Sequence, residues 1–185
     1  MNLILLTQRL VLRPLEMSDA ETMFAYRSDP IVSRYQTWEP PDTDAIIKFI
    51  QSLQNIKPDT EDTWYQLAIT LKENGEMIGD CGIHFPSGST QEVDVGITLM
   101  QTQQGKGYAS EALACLLAYA FQDLCKESVV GIADSRNIAS INMLIKIGMK
   151  EEIEKRENVF LKDEWLEEVH YRITKQEWTQ TQQNK

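Results

Sequence analysis

The sequence is short of several things, and each shortage closes a class of protein. No apolar run among its 185 residues approaches the roughly 20 needed to cross a bilayer. It holds two histidines, His84 and His170, and three cysteines, Cys81, Cys115 and Cys125, far apart and without a C-x-x-C pair. That spacing offers neither a metal cluster nor a disulfide framework, and free thiols in a reducing compartment are the expectation. Positive charge is scarce as well: 18 Lys and Arg stand against 28 Asp and Glu, a net charge of −10. Nucleic-acid binding, which needs a basic footprint, is disfavoured. Cationic partners, or small anions held at one local positive site, are favoured. Internal repeats and Pro/Gly/Ser linkers are missing too, so the reading is one domain over residues 1–178 and a polar tail over 179–185. The opening run Met1–Leu6 is apolar but has no basic leader and no small-residue cleavage site. It reads as a strand, and the expected location is cytoplasmic, with no membrane partner.

What is present is ordinary globular patterning, with 42% apolar and 25% charged residues. Leu3–Leu6 and Leu10–Leu15 read as a strand or bent hairpin. Ser18, three residues before Glu21, reads as the cap of a helix reaching Arg27, which Pro30 closes. The segment Arg34–Pro41 is irregular and aromatic, and Asp44–Gln54 is a second helix. Trp64–Leu71 and Met77–Phe85 flank an Asn74-Gly75 turn, a hairpin signal. Val93–Met100 follows as a strand. Leucines at helical spacing, Leu113, Leu116, Leu117 and Leu124, extend the longest helix to Cys125. Val129–Ala133 is a short buried strand. A helix from Asn137 to Ile147 stops at Gly148, and Val159–Leu161 and Val169–Ile173 close the strand list. This order defines an α+β layer fold with one crossover unit.

One segment points to chemistry. The strand ending at Met100 leads through Gln104-Gly105-Lys106-Gly107-Tyr108-Ala109 into the first turn of the long helix. A helix start offers unpaired N–H donors and the positive end of a dipole, and glycines let backbone approach an anion closely. A tight connecting loop is the plain alternative. The segment lacks the Gly-Lys-Ser/Thr of a P-loop. It fits a dinucleotide fingerprint poorly, because Ser110 stands at the third glycine and Asp134 comes late.

Gln104-x-x-Gly107-x-Ala109 resembles the loop with which GNAT-superfamily N-acetyltransferases hold the pyrophosphate of coenzyme A. Asn137-x-x-Ser140 followed by Lys146-Ile147-Gly148-Met149 is similar to a second element of that family, with Met149 where Phe is usual. Thr7–Leu15 with Ser18-Asp19-Ala20, and the closing Trp165, Tyr171 and Glu177-Trp178, resemble the RimJ/RimL-like branch. The resemblance implies a mixed, mostly antiparallel sheet of about six or seven strands flanked by helices, with a splayed central strand pair.

It also implies roles. Acetyl-CoA is the implied cofactor, with no metal. Its pantetheine would lie along the backbone of Ile97, Thr98, Leu99 and Met100, with the Leu99 N–H as oxyanion donor. The pyrophosphate would sit on Gln104, Gly105, Lys106, Gly107, Tyr108 and Ala109. Asn137 and Ser140 would touch the pantetheine arm, and Lys146 would reach the 3′-phosphate. Look-alikes place a tyrosine acid four residues after Ser140; here that position is Leu144, which leaves Ser140 or water to protonate the thiolate. Asp94, on one strand face with Glu92, is the candidate base, and His84 competes with it. Tyr35 and Trp38, with His84, would shape the acceptor side. The expected reaction is acetylation of a primary amine on a cationic acceptor: a protein N-terminus, a polyamine or an aminosugar. A non-catalytic acyl-CoA-binding module and a nucleotide-dependent oxidoreductase are the alternatives. The chain is expected as a monomer or homodimer.

Overall fold

The computed structural model describes residues 3–183. Met1 and Asn2 of the opening run, and Asn184 and Lys185 of the polar tail, lie outside the described residues. Among the described residues nine strands form one sheet: β1 (Leu5–Leu6), β2 (Leu10–Pro14), β3 (Thr63–Leu71), β4 (Met77–Phe85), β5 (Glu92–Leu99), β6 (Ser128–Asp134), β7 (Lys150–Glu151), β8 (Glu157–Leu161) and β9 (Glu164–Thr174). The order is β1-β2-β3-β4-β5-β6-β9-β7, with β8 on β9. Every pairing is antiparallel except β5 with β6. The count exceeds the six or seven that the resemblance implies: β1 falls within the Leu3–Leu6 run, and β7, outside every expected strand, is two residues long and too short to carry a pattern.

Six helices accompany the sheet: α1 (Ala20–Arg27), α2 (Pro30–Ser33), α3 (Thr43–Leu53), α4 (Tyr108–Ala118), α5 (Ile138–Lys146) and α6 (Lys175–Gln183). On one face, Leu113, Leu116 and Leu117 of α4 and Leu144 of α5 pack with Leu12, Ile83, Val93 and Val129 of the strands. On the other, Met23 and Tyr26 of α1 and Ile46 and Ile50 of α3 cover Ala68 and Met77. α4, the crossover between β5 and β6, supplies the connection that a parallel pair requires.

Four local expectations are corrected. Ser18 is not the cap of the first helix. A 3₁₀ turn at Met17–Asp19 precedes α1, and Asp19 accepts from the Glu16 N–H at 2.7 Å while Arg13 clamps its carboxylate. Pro30 does not only end a helix but opens α2 at its first position, where no N–H is needed, with Asp29 as cap. The long helix stops being α-helical at Ala118 and widens into a π turn over Tyr119–Asp123. Tyr119, Ala120 and Phe121 are buried in succession, which a single α-helical stripe does not allow. Finally, α6 takes residues 179–183 of the polar tail into a helix. The three cysteines are free, and burial pushes the Cys81 thiol well up, so it is inert. No helix among the described residues is long and apolar enough to cross a membrane.

Candidate active site

The site begins where β5 and β6 stop pairing. Glu92–Val95 lie beside Ser128–Gly131, and the ladder ends there. Beyond that point Gly96–Leu99 remain bonded to β4, and Ile132–Asp134 to β9, so the two strands diverge. Antiparallel alternation then decides which backbone is exposed. The Met100 N–H donates to the Ile78 carbonyl at 2.9 Å, so Thr98 and Met100 face β4 while Ile97 and Leu99 face the gap. Two of the four residues expected to offer free backbone, Thr98 and Met100, therefore have it tied to β4. Thr98 acts instead through its hydroxyl, which donates to Gln36 Oε1 at 3.0 Å and fixes the segment after α2. The Leu99 carbonyl accepts from Gln104 Nε2 at 3.1 Å, which joins the strand to the loop beyond it.

That loop turns on two glycines. Gly105 and Gly107 hold φ of 74° and 84°, the left-handed region that side chains resist. The first N–H closed within α4 is that of Glu111, onto the Gly107 carbonyl at 3.1 Å. Those of Tyr108, Ala109 and Ser110 precede it and point out of the helix start. Arg9 braces this corner from below. Its guanidinium lies 4.4 Å from the centre of the Tyr108 ring, bonds the Lys106 carbonyl at 3.0 Å and pairs with Glu111 at 2.7 Å. Burial raises the Glu111 carboxyl, but Thr7 and Arg9 outweigh it, so the group sits below its ordinary range. Lys106 reaches Gln103 at 2.9 Å, and Lys146 is exposed in the last turn of α5.

A cavity of about 300 Å³ runs through the gap. Ile97, Asn137 and Ser140 line it, as do Asp94, Tyr35 and Trp64. Asn137 caps α5 by accepting from the Ser140 N–H at 3.2 Å. Leu144, at the position where look-alikes carry tyrosine, is 2% exposed core. A Cβ on Gly131 would come within 2.6 Å of its Cδ2, so the glycine makes room for this leucine. Asp94 and His84, read as competitors for one role, are a pair: His84 Nδ1 meets Asp94 Oδ2 at 2.9 Å, across the register of β4 and β5. Glu92 is drawn off to Arg172 at 3.0 Å and Ser128 at 2.7 Å.

Trp38 lies off the cavity lining. Its ring centre is 4.9 Å from that of Phe49, and Arg27 sits over it at 5.4 Å. Arg27 in turn pairs with Asp80 at 2.5 Å, and Asp80, fully buried, also receives Tyr26 Oη at 2.5 Å and the Gln66 amide. Burial works against charge on Arg27, but Asp80 overrides it and its pKa rises. Trp64, not singled out in the sequence, stacks on His84 at 5.1 Å and lies across Gly82 and Gly96. The bare glycines opposite one another on β4 and β5 were the available signal. Asp134, Glu164 and Glu168 also line the cavity and were not expected there as a group. Arg136 holds the first two, at 2.6 and 2.9 Å, and its hydrogen bonds keep both carboxyls below their usual range.

A strand pair parted beyond a crossover helix, with a glycine loop feeding the helix start, is the architecture of an acyl-CoA N-acyltransferase fold. Residues 9–150 match the Acetyltransferase (GNAT) domain family, and the chain belongs to that family of N-acetyltransferases. It is 31% identical over 149 residues to the uncharacterized N-acetyltransferase p20 of Bacillus licheniformis, covering 80% of this chain and 83% of that protein. A GNAT-family acetyltransferase from Bacillus anthracis superposes with a TM-score of 0.82 at 22% identity, covering 94% of this chain and 99% of the other. Mycobacterium smegmatis RimJ, solved in complex with CoA-disulfide, superposes with a TM-score of 0.78 at 19% identity, covering 95% and 88%.

Proposed function

We propose that this protein transfers the acetyl group of acetyl-CoA to a primary amine by direct attack, on an acceptor that is itself cationic. The observation that carries the reading is the parting of β5 from β6 after Val95 and Gly131, together with the left-handed glycines at the start of α4. The residues suit the donor. Gap-facing backbone at Ile97 and Leu99 matches an extended pantetheine, and the N–H groups of Tyr108, Ala109 and Ser110 match a pyrophosphate. When bound, acetyl-CoA supplies an activated acetyl thioester.

The chain's own groups do the rest. The Leu99 N–H donates to the thioester carbonyl, a role worth roughly 3–4 kcal/mol in other enzymes. Only a neutral amine attacks: an α-amine, with a pKa of about 7.7–8.0, is partly neutral near pH 7, whereas a lysine near 10.4 needs more help. Asp94 receives the amine proton through water, and the His84 bond fixes which carboxylate oxygen remains free. Ser140, one turn into α5 on the cavity wall, passes a proton to the departing thiolate while taking one from water. Leu144 supplies no hydroxyl.

The test is thiol release from acetyl-CoA over a panel of amines, alongside thermal shifts with acetyl-CoA, CoA, NADH and ATP. Shifts with the two CoA forms and amine-dependent thiol release are expected. A CoA shift without turnover on any amine would leave the non-catalytic module; a shift with NADH or ATP alone would overturn the donor.

A further inference from the structure

The walls of the cavity carry four carboxylates, and three of them are spoken for. Asp94 is paired with His84, and Asp134 and Glu164 share Arg136. Glu168 makes no ion pair or hydrogen bond through its side chain among the described residues, although it lines the same cavity and is half-buried. Its neighbours explain why. It lies directly across β8–β9 from Glu157, a like-charge pair that is unfavourable. His170 stands between the two carboxylates, its Nε2 3.3 Å from Glu157 Oε1 and a ring nitrogen within 4.8 Å of a Glu168 oxygen, and hydrogen-bonds neither. Arg34 and Lys162 also line the cavity but are engaged elsewhere: Arg34 lies over the Tyr35 ring at 5.2 Å, and Lys162 bonds the Ser33 carbonyl at 2.8 Å. Burial first, then Glu157, pushes the Glu168 carboxyl above its usual range, and His170 opposes them without reversing the direction.

The floor beside Glu168 is open. Ile132, on the central strand β6, is 43% exposed, where a central strand normally buries such a side chain. It is paired with His170, two residues along from the Asp134–Glu168 pair, and so lies on the same sheet face as Glu168. Trp64 stands on that face at the β3 side, 41% exposed. An apolar floor with one uncompensated carboxylate at its end suits an aliphatic or peptide stem ending in a cation. The reacting amine is not that cation, since it must shed its proton to attack and Asp94 is the group that receives it; the cation at Glu168 is therefore a second group.

We infer that Glu168 is the specificity anchor of the acceptor site, binding a second positive group, an ammonium or guanidinium, carried by the acceptor beyond its reacting amine. This rests on the acetyltransferase reading above and narrows its acceptor to dications. The charge can come from a free diamine or from a basic side chain following a peptide α-amine.

Calorimetric titration with CoA present tests it without requiring turnover. The probes are matched pairs: 1,4-diaminobutane against 1-aminobutane, and an amidated Ala-Arg-Ala peptide against Ala-Ala-Ala. In one pair the dication is expected to bind at least tenfold more tightly than its monocation, and which pair does so identifies the source. Glu168→Gln should shrink that preference at least fivefold while leaving CoA affinity unchanged, and Glu21→Gln, on the exposed face of α1, should leave it intact. Equal binding within both pairs, or a preference that survives Glu168→Gln, overturns the anchor. Thiol release measured on the same samples separates the two ideas. Dication preference without acetylation keeps the anchor and removes the reaction, and acetylation without preference does the reverse. In an active enzyme Glu168→Gln should raise KM for the dication and leave kcat nearly unchanged.

Discussion

The two halves of β5 have the same neighbours in sequence and opposite duties. Glu92–Val95 is paired with β6, and Asp94 and Val95 with β4 as well, as in the interior of any sheet. Gly96–Leu99 is bonded to β4 alone, and Gly96 and Ile97 line a cavity on its other side. An unpaired strand edge is a liability that proteins normally cover. Here the edge is left open, and its stiffness has to come from one side. That side is unusually strong: behind Thr98 lies Asp80, buried with Arg27, Tyr26 and Gln66 around it. A buried polar network thus keeps in place backbone that the sheet leaves unpaired.

The comparison breaks most severely if the support is removed. Asp80→Ala strands the Arg27 charge in the core and should cost about 3–5 kcal/mol. At about 2–4 °C per kcal/mol, that is roughly 6–20 °C in Tm by scanning calorimetry. A loss under 1 kcal/mol would mean that the one-sided half needs no such brace. Next comes the loop. Gly107→Val puts a branched side chain at φ 84° and should weaken CoA at least a hundredfold, about 2.7 kcal/mol, with the fold kept by circular dichroism. Unchanged affinity would take the loop out of binding.

At the point where pairing ends, Gly131→Ala crowds Leu144 and should cost about 1–3 kcal/mol. Leu144→Ala in the same chain should recover part of that loss, since the two share one space. Gln104→Ala frees the Leu99 carbonyl and should weaken CoA about fivefold, about 1 kcal/mol, with Tm nearly unchanged. The smallest effect lies far from the gap. Lys150, then Thr174, hold the Glu177 carboxyl down to about 2, so its contribution to stability is present above the unfolded carboxyl pKa and fades as pH falls through about 2. Glu177→Gln should therefore lower Tm slightly at pH 7, by under about 1 kcal/mol for so exposed a pair, and leave it unchanged near pH 2.

Much of the closed half was legible. The Asn74-Gly75 hairpin lies where its turn chemistry put it, and Gly148 ends α5 at φ 96°. The glycine loop was legible because left-handed backbone selects glycine at Gly105 and Gly107. The open half was not. Trp38 and Trp64 are both aromatic and both near the site in sequence or space, yet Trp38 packs on Phe49 and Trp64 lines the cavity. Asp94 and His84 looked like rivals because only strand register joins residues ten apart. Glu168 looked like one of many surface carboxylates.

By itself, then, the sequence determined the order of elements and the glycine loop before α4, because periodicity, turn chemistry and left-handed glycines act over a few neighbouring residues, and its motifs carried the resemblance to the family. The tertiary structure alone decided where β5 and β6 part, which backbone groups face the gap, and which of four carboxylates lacks a partner. Those are outcomes of register and of long-range pairing, in which a charge finds its counterion on another strand, and no local stretch of chain encodes them.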